Sequence, residues 1–219
     1  MGSKILFGRS LKPEILAHVR CYNVTTRDVV ARLYFDDDAK AASAALRDLV
    51  ADGELYRHGK VFRRSRHRPE PQQLHRDLAL LAYCCLAEGP RPLLSRDELE
   101  RVLQPVLDHL KLPPPPASVR CIIDAQRRLS LIRVQRLMRG RGLPDLNREL
   151  VQLQSLVEDK AFRPWAFFAR EERFSLTYLL HDPAQVAELA LWTQRRSLVS
   201  RVLREPVVVP LVSDAIPKL

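Results

Sequence analysis

The chain reads Arg66-His67-Arg68-Pro69-Glu70-Pro71 at one point and Lys111-Leu112 followed by Pro113 to Pro116 at another. Proline lacks a backbone N–H and holds φ near −65°, so neither seam suits a helix interior or a central strand. The first seam is expected to be a domain boundary, separating residues 10–66 from 72–219. The second, residues 111–118, is expected to be a stiff connector inside the later domain. At roughly 150 residues per domain, a length of 219 is consistent with one or two domains.

With 46% hydrophobic residues and only seven glycines, the chain is neither collagenous nor of low complexity nor disordered. No uncharged apolar run approaches the roughly 20 residues of a spanning helix, and Met1 to Arg9 lacks the apolar stretch of a signal peptide. A soluble, cytoplasmic protein without a membrane partner is the expectation. Cys21, Cys84, Cys85 and Cys121 form no C-x-x-C and sit in apolar segments, which predicts buried thiols rather than a disulfide framework or zinc.

The balance of 36 basic against 26 acidic residues gives +10, which points to an anionic partner. The excess is concentrated at the front, where residues 1–68 hold 14 Lys and Arg against 8 Asp and Glu. Arg57, Lys60, Arg63, Arg64, Arg66 and Arg68 fall in twelve residues without an acid. Arg outnumbers Lys 29 to 7, so it is the clustering, not the abundance, that carries information.

Apolar spacing predicts a helix over 13–20 and a second one N-capped by Thr25. After Asp36-Asp37-Asp38, a third is predicted from Ala39 to Ala51. Ala42, Ala45, Leu46, Leu49 and Val50 face inward, leaving Lys40, Ser43, Ala44 and Arg47 outside. Glu54 to Arg57 and Lys60 to Arg63, joined at His58-Gly59, predict a β-hairpin.

Helix, helix, turn, helix and basic hairpin in this order, with Ala45-Leu46-Arg47-Asp48-Leu49-Val50-Ala51-Asp52-Gly53-Glu54-Leu55 between the last two, resemble a winged helix-turn-helix domain. The resemblance implies double-stranded DNA as partner. Lys40, Ser43, Ala44 and Arg47 would lie near base edges, and Arg57, His58, Lys60, Arg63 and Arg64 near phosphates. Arginine offers a bidentate fork to guanine, and Arg47 is the only arginine on this helix. Asp36, Asp37, Asp38, Asp48 and Asp52 depart from the pattern, because acids there repel DNA unless they point away. A protein-interaction module with a solvated basic hairpin is the competing reading.

Beyond the first seam, residues 73–88 predict a buried helix, and Ser95-Arg96-Asp97-Glu98 a capping box opening a helix to about Leu110, with Pro105 inside it. Strands are predicted at 119–124, 129–137, 164–168, 174–180 and 207–212. Further helices are predicted after Asp145 and from Pro183. The fold class read from this is α+β, a winged helix-turn-helix followed by a small mixed α/β domain. The element order of that second domain is similar to the restriction-endonuclease-like fold, and the whole chain is similar to the plasmid and phage replication-relaxation family.

Nuclease chemistry of the PD-(D/E)xK type would need paired carboxylates and a lysine at adjacent strand ends to hold magnesium and activate water. Asp124 suits the first carboxylate, but Arg133 and Gln135 stand where the acid and lysine are sought. The resemblance therefore implies a degenerate, non-catalytic copy in which Asp124 caps a turn. No phosphate loop, dinucleotide fingerprint or nucleophile elbow is present. The histidines, His18, His58, His67, His75, His109 and His181, lack zinc-ligand spacing. No catalytic residue, metal or cofactor is expected.

Three minor features have ordinary structural readings. Arg136 to Gly142 reads as a solvated loop, Pro164 to Phe168 as core aromatics, and Pro113 to Pro116 as a spacer. The reading that follows is a non-catalytic DNA-binding protein, regulatory or accessory in transcription or mobile-element replication. A homodimer or protein partner would be held by the C-terminal domain. The alternatives are a divalent-metal nuclease using Asp124 with Glu149 or Glu158, and a protein-interaction adaptor.

Overall fold

The computed structural model describes residues 11–86, 91–111, 114–115, 119–124, 126–134, 168, 171, 173–180, 187, 191 and 207–208. The architecture is mixed α+β. Two compact units divide in the chain between Pro90 and Arg91, not at the 66–71 seam.

The first unit runs α1 (Lys12–Tyr22), β1 (Thr25–Thr26), α2 (Arg27–Tyr34), α3 (Ala39–Ala51), β2 (Tyr56–His58), β3 (Val61–Arg63) and α4 (Pro71–Leu81), closed by one π-helical turn, Ala82–Leu86. Asn23 ends α1 in the left-handed region at φ 64°, a conformation that asparagine tolerates better than most residues. The cap of α2 is Thr26, whose hydroxyl accepts from Val29 N at 3.4 Å. This is one residue later than predicted, because Thr25 and Thr26 form β1. That strand pairs antiparallel with β3, giving a three-stranded sheet of order β1-β3-β2. α3 has its predicted bounds and buries Ala42, Leu46 and Leu49. They join Ile15, Val19, Val30, Ala31 and Leu55 in one core.

The predicted hairpin forms with its turn shifted by one residue. Tyr56 pairs with Arg63 and His58 with Val61, so Gly59 and Lys60 make the turn, and Gly59 takes φ +64°. Such two-residue turns need positive φ, which glycine adopts without penalty. Pro69-Glu70-Pro71 then leads directly into α4, with proline in its first turn, where the missing N–H costs nothing. The sequence reading assigned this helix to the second domain. Instead it belongs to the first unit, where Asp77 Oδ1 accepts from Asn23 Nδ2 at 3.4 Å.

The second unit opens with α5 (Arg96–Leu110), and its capping box is present in both directions. Glu98 N donates to Ser95 Oγ at 3.3 Å, and Ser95 N donates to Glu98 Oε2 at 2.7 Å. The sheet has order β4-β5-β6-β7, from Cys121–Ile123, Leu129–Val134, Phe174–Leu180 and Val207–Val208. β4 is antiparallel to β5, while β5, β6 and β7 are parallel. β6 has the bounds its sequence predicted, and all seven of its residues are buried, as befits a strand with parallel neighbours on both sides. Its polar residues are paired, Thr177 Oγ1 with Ser130 Oγ at 2.9 Å and Ser175 Oγ with Asp124 Oδ2 at 3.0 Å. Leu99, Leu103 and Leu107 of α5 join Leu131, Phe174 and Tyr178 in the core. Phe168, predicted at a strand end, is helical and buried. The helix after Asp145, the 136–142 loop and the rest of 164–168 lie outside the described residues, and of the helix from Pro183 only Ala187 and Leu191, both helical, are described.

Candidate nucleic-acid interface

The first helical turn of α3 is organised by Asp38. Its Oδ1 accepts from Lys40 N at 2.8 Å and Ala41 N at 3.0 Å, so this acid is spent on the helix N-terminus, where a negative charge is favoured. At the far end of α3, Asp52 accepts from Lys12 Nζ at 2.6 Å, and that contact holds the Lys12 ammonium above its ordinary pKa. Two of the five acids that trouble a DNA-facing reading are thereby engaged within the unit. Asp36 and Asp37 are exposed in left-handed backbone, at φ 47° and 67°.

Of the predicted α3 residues, Lys40 and Arg47 are exposed, while Ser43 and Ala44 are half-buried. Ser43 Oγ donates to Ala39 O at 2.7 Å, which leaves that oxygen's acceptor role available to a ligand. Arg47 Nε reaches Ser43 O at 3.4 Å.

Side chains alternate across a hairpin, and the register divides the predicted basic set. Arg57 and Phe62 are partners on one face, while Tyr56, His58, Val61 and Arg63 share the other. Arg63 Nε donates to Asn23 O at 3.3 Å, and His58 Nε2 lies 3.2 Å from Ser65 O. These two residues are thus tied to the unit's own backbone. Arg64 is exposed, and Arg57 Nε donates to Gly59 O at 2.9 Å across the turn.

Ser43, Arg47, Arg57 and Lys60 line one cleft of about 600 Å³. Lys40, Ala44, His58, Arg63 and Arg64 are not among its walls. The cleft also holds residues that the sequence reading did not single out. Thr26 to Val29 contribute from the start of α2, and Leu78, Leu81, Ala82 and Leu86 from α4 and the π turn. Residues 73–88 read as a helix apolar all round, which gives no sign of the surface that Leu78, Leu81 and Ala82 meet. Arg27 is paired with Asp28 at 2.9 Å.

In the second unit, Asp124 Oδ1 accepts from Gln126 N and Arg128 N, both at 2.9 Å. Its Oδ2 accepts from Arg128 Nε at 3.1 Å and Ser175 Oγ at 3.0 Å. Burial alone raises a carboxyl pKa, but hydrogen bonds from the Arg128 backbone and side chain and from Ser175 outweigh it and hold this group below its ordinary value. The predicted role as turn cap matches this geometry. Arg133 is exposed on β5, and Gln135, Glu149 and Glu158 lie outside the described residues. Among the described residues no group of three or more His, Cys, Asp or Glu is arranged to hold a metal, and no helix is long and apolar enough to cross a membrane. Cys21, Cys84, Cys85 and Cys121 form no disulfide with one another, and the last three are buried.

Family models, curated proteins and solved structures each offer no match to this chain.

Proposed function

We propose that the first unit is a winged helix-turn-helix that binds double-stranded DNA, with α3 as its reading helix and the β2–β3 hairpin as its wing. The observation that carries this reading is the convergence of Ser43 and Arg47 from α3 with Arg57 and Lys60 from the hairpin on one cleft. The sheet order β1-β3-β2, with the strand between the first two helices closing on the hairpin, supports it. Arg47 supplies the planar fork for a base edge, and the hairpin cations supply attraction to phosphates.

The second unit serves as a non-catalytic domain of restriction-endonuclease-like type, holding a partner or a second copy. The support is its α-β-β-then-parallel order and the commitment of Asp124 to four donors, which leaves it poorly suited to a metal. The role is regulatory or accessory, in transcription or in replication of a mobile element.

Fluorescence anisotropy with random duplex DNA across a salt series tests the reading. Binding is expected to weaken log-linearly with salt. Arg57→Glu, Lys60→Glu and Arg64→Glu combined should lower affinity by about 100-fold or more and flatten the salt slope by about three contacts. Arg63 is left in place because its guanidinium holds the α1 terminus. Binding indifferent to these three charges overturns the reading.

A further inference from the structure

The cleft between α3, the hairpin and α4 has the build of a small-molecule site as well as that of a phosphate-facing surface. Its volume of about 600 Å³ falls within the roughly 300–1,000 Å³ of such sites. Its walls include buried aliphatic side chains, Val29, Leu46, Leu78 and Leu81. Phosphates and sugars gain little from such a floor, because their contacts are hydrogen bonds and charge pairs. The exposed members of the lining are mostly cationic: Arg27, Arg47, Arg57 and Lys60 stand against one carboxylate, Asp28. That carboxylate is already paired with Arg27.

An apolar floor beneath a cationic rim complements an apolar body carrying a single anionic head. We propose that this cleft binds an amphiphilic carboxylate, its acyl chain on the α4 leucines and its head among Arg47, Arg57 and Lys60, and that bound amphiphile excludes duplex DNA from those same cations. The acyl site stands on the cleft alone, and the exclusion clause rests on the DNA reading above. Transfer of the chain from water supplies the driving force, and the rim selects the sign of the head.

Calorimetric titration of the full chain with dodecanoate, below its micelle concentration, reads the site directly. Acetate supplies the head alone, and dodecyltrimethylammonium the same tail with the opposite charge. Saturable one-to-one binding of dodecanoate is expected, with both controls weaker by about tenfold or more. Two variants probe the floor without touching the cations. Ala82→Phe fills the cleft, and Leu86→Glu, at a side chain 38% exposed, sets a carboxylate beside the proposed chain. Each should weaken dodecanoate by about tenfold or more. Leu86→Glu carries the test if the larger side chain prevents folding.

Absent binding, equal binding of the cationic amphiphile, or binding unchanged in the folded variants overturns the site. DNA binding that ignores saturating dodecanoate overturns the exclusion. If dodecanoate binds as expected and duplex DNA never does, the site stands while the exclusion and the DNA reading both fall.

Discussion

Asp77 in the first unit and Asp124 in the second are both taken largely out of water, with Asp77 1% exposed and the Asp124 side chain 13% exposed. Their environments drive them in opposite directions. Asp77 receives Gln73 Nε2 at 2.7 Å and Asn23 Nδ2 at 3.4 Å on one oxygen, and its other oxygen has no hydrogen bond. Burial therefore dominates and holds its carboxyl above the usual range, against the smaller pull of those two amides and of Arg76 and Arg63. Asp124 is only partly buried, backbone and side-chain donors reach both of its oxygens, and it is held below that range. Shallower burial and more donors to the ionised form together give Asp124 the opposite sign.

The contrast breaks most visibly at Asp124. Asp124→Ala removes the acceptor for two backbone N–H groups and strands Arg128 and Ser175, at an expected cost of about 3–4 kcal/mol. Urea denaturation followed by tryptophan fluorescence reads this unit, since Trp165 and Trp192 both fall in its stretch of the chain. Because the folded pKa is depressed, the stabilisation is present above the unfolded value and is lost as pH falls through the folded one. A loss below about 1 kcal/mol would make the turn independent of its carboxylate.

His18 sharpens the comparison from the other side. It is buried against Tyr22, with ring centroids 4.7 Å apart, and its Nε2 has no hydrogen-bond partner. Burial pushes its pKa down to about 4. The neutral ring is the folded form, so stability is intact above pH 6.5 and drains as pH falls from there toward 4. The fall corresponds to about 3 kcal/mol. Hydrogen-exchange protection of α1 amides should drop across that window and stay level in His18→Phe. An equal drop in both would assign the acid sensitivity elsewhere.

How much of this was legible from residues alone follows from the range of the interactions involved. α3 and β6 are legible in the sequence because each carries its own signal: 3.6-residue spacing after a polar turn in α3, and a bounded apolar run in β6. β1 was missed because two residues have no period, and finding it displaced the α2 cap from Thr25 to Thr26. The prolines of 66–71 mark an interrupted backbone before α4 but no boundary, because the units divide between Pro90 and Arg91. Proline reports local backbone, and whether α4 stays with the preceding helices is settled by packing. The predicted cations were legible as a cluster. Their division across the hairpin follows from strand alternation alone and survives the one-residue shift of the turn, which slides the pairing by two residues; the contacts that hold Arg63 and His58 to Asn23 O and Ser65 O are what no local pattern encodes. The aliphatic wall of the cleft depended on α4 lying against the first unit, which no local pattern encodes.

The smallest of these effects tests the first half of the comparison most directly. If Asp77 is ionised at a cost in neutral solution, Asp77→Asn should be tolerated or stabilising there, by about 1 kcal/mol. The amide keeps an oxygen for Gln73 and Asn23 and sets its NH₂ where the carboxylate had no partner, so two unmet N–H donors limit the gain. The pH dependence is opposite in sign to that of His18. A raised folded pKa means a contribution fully present below the unfolded value and lost as pH rises through the folded one. In wild type the two slopes oppose one another, so the measurement belongs in the His18→Phe background. There, protection of α1 and α4 should rise as pH is lowered from 7, and adding Asp77→Asn should flatten it. A flat profile before that second change would mean that Asn23, Gln73 and the nearby arginines already meet the cost of the charge, and that the two carboxylates differ in geometry but not in energy.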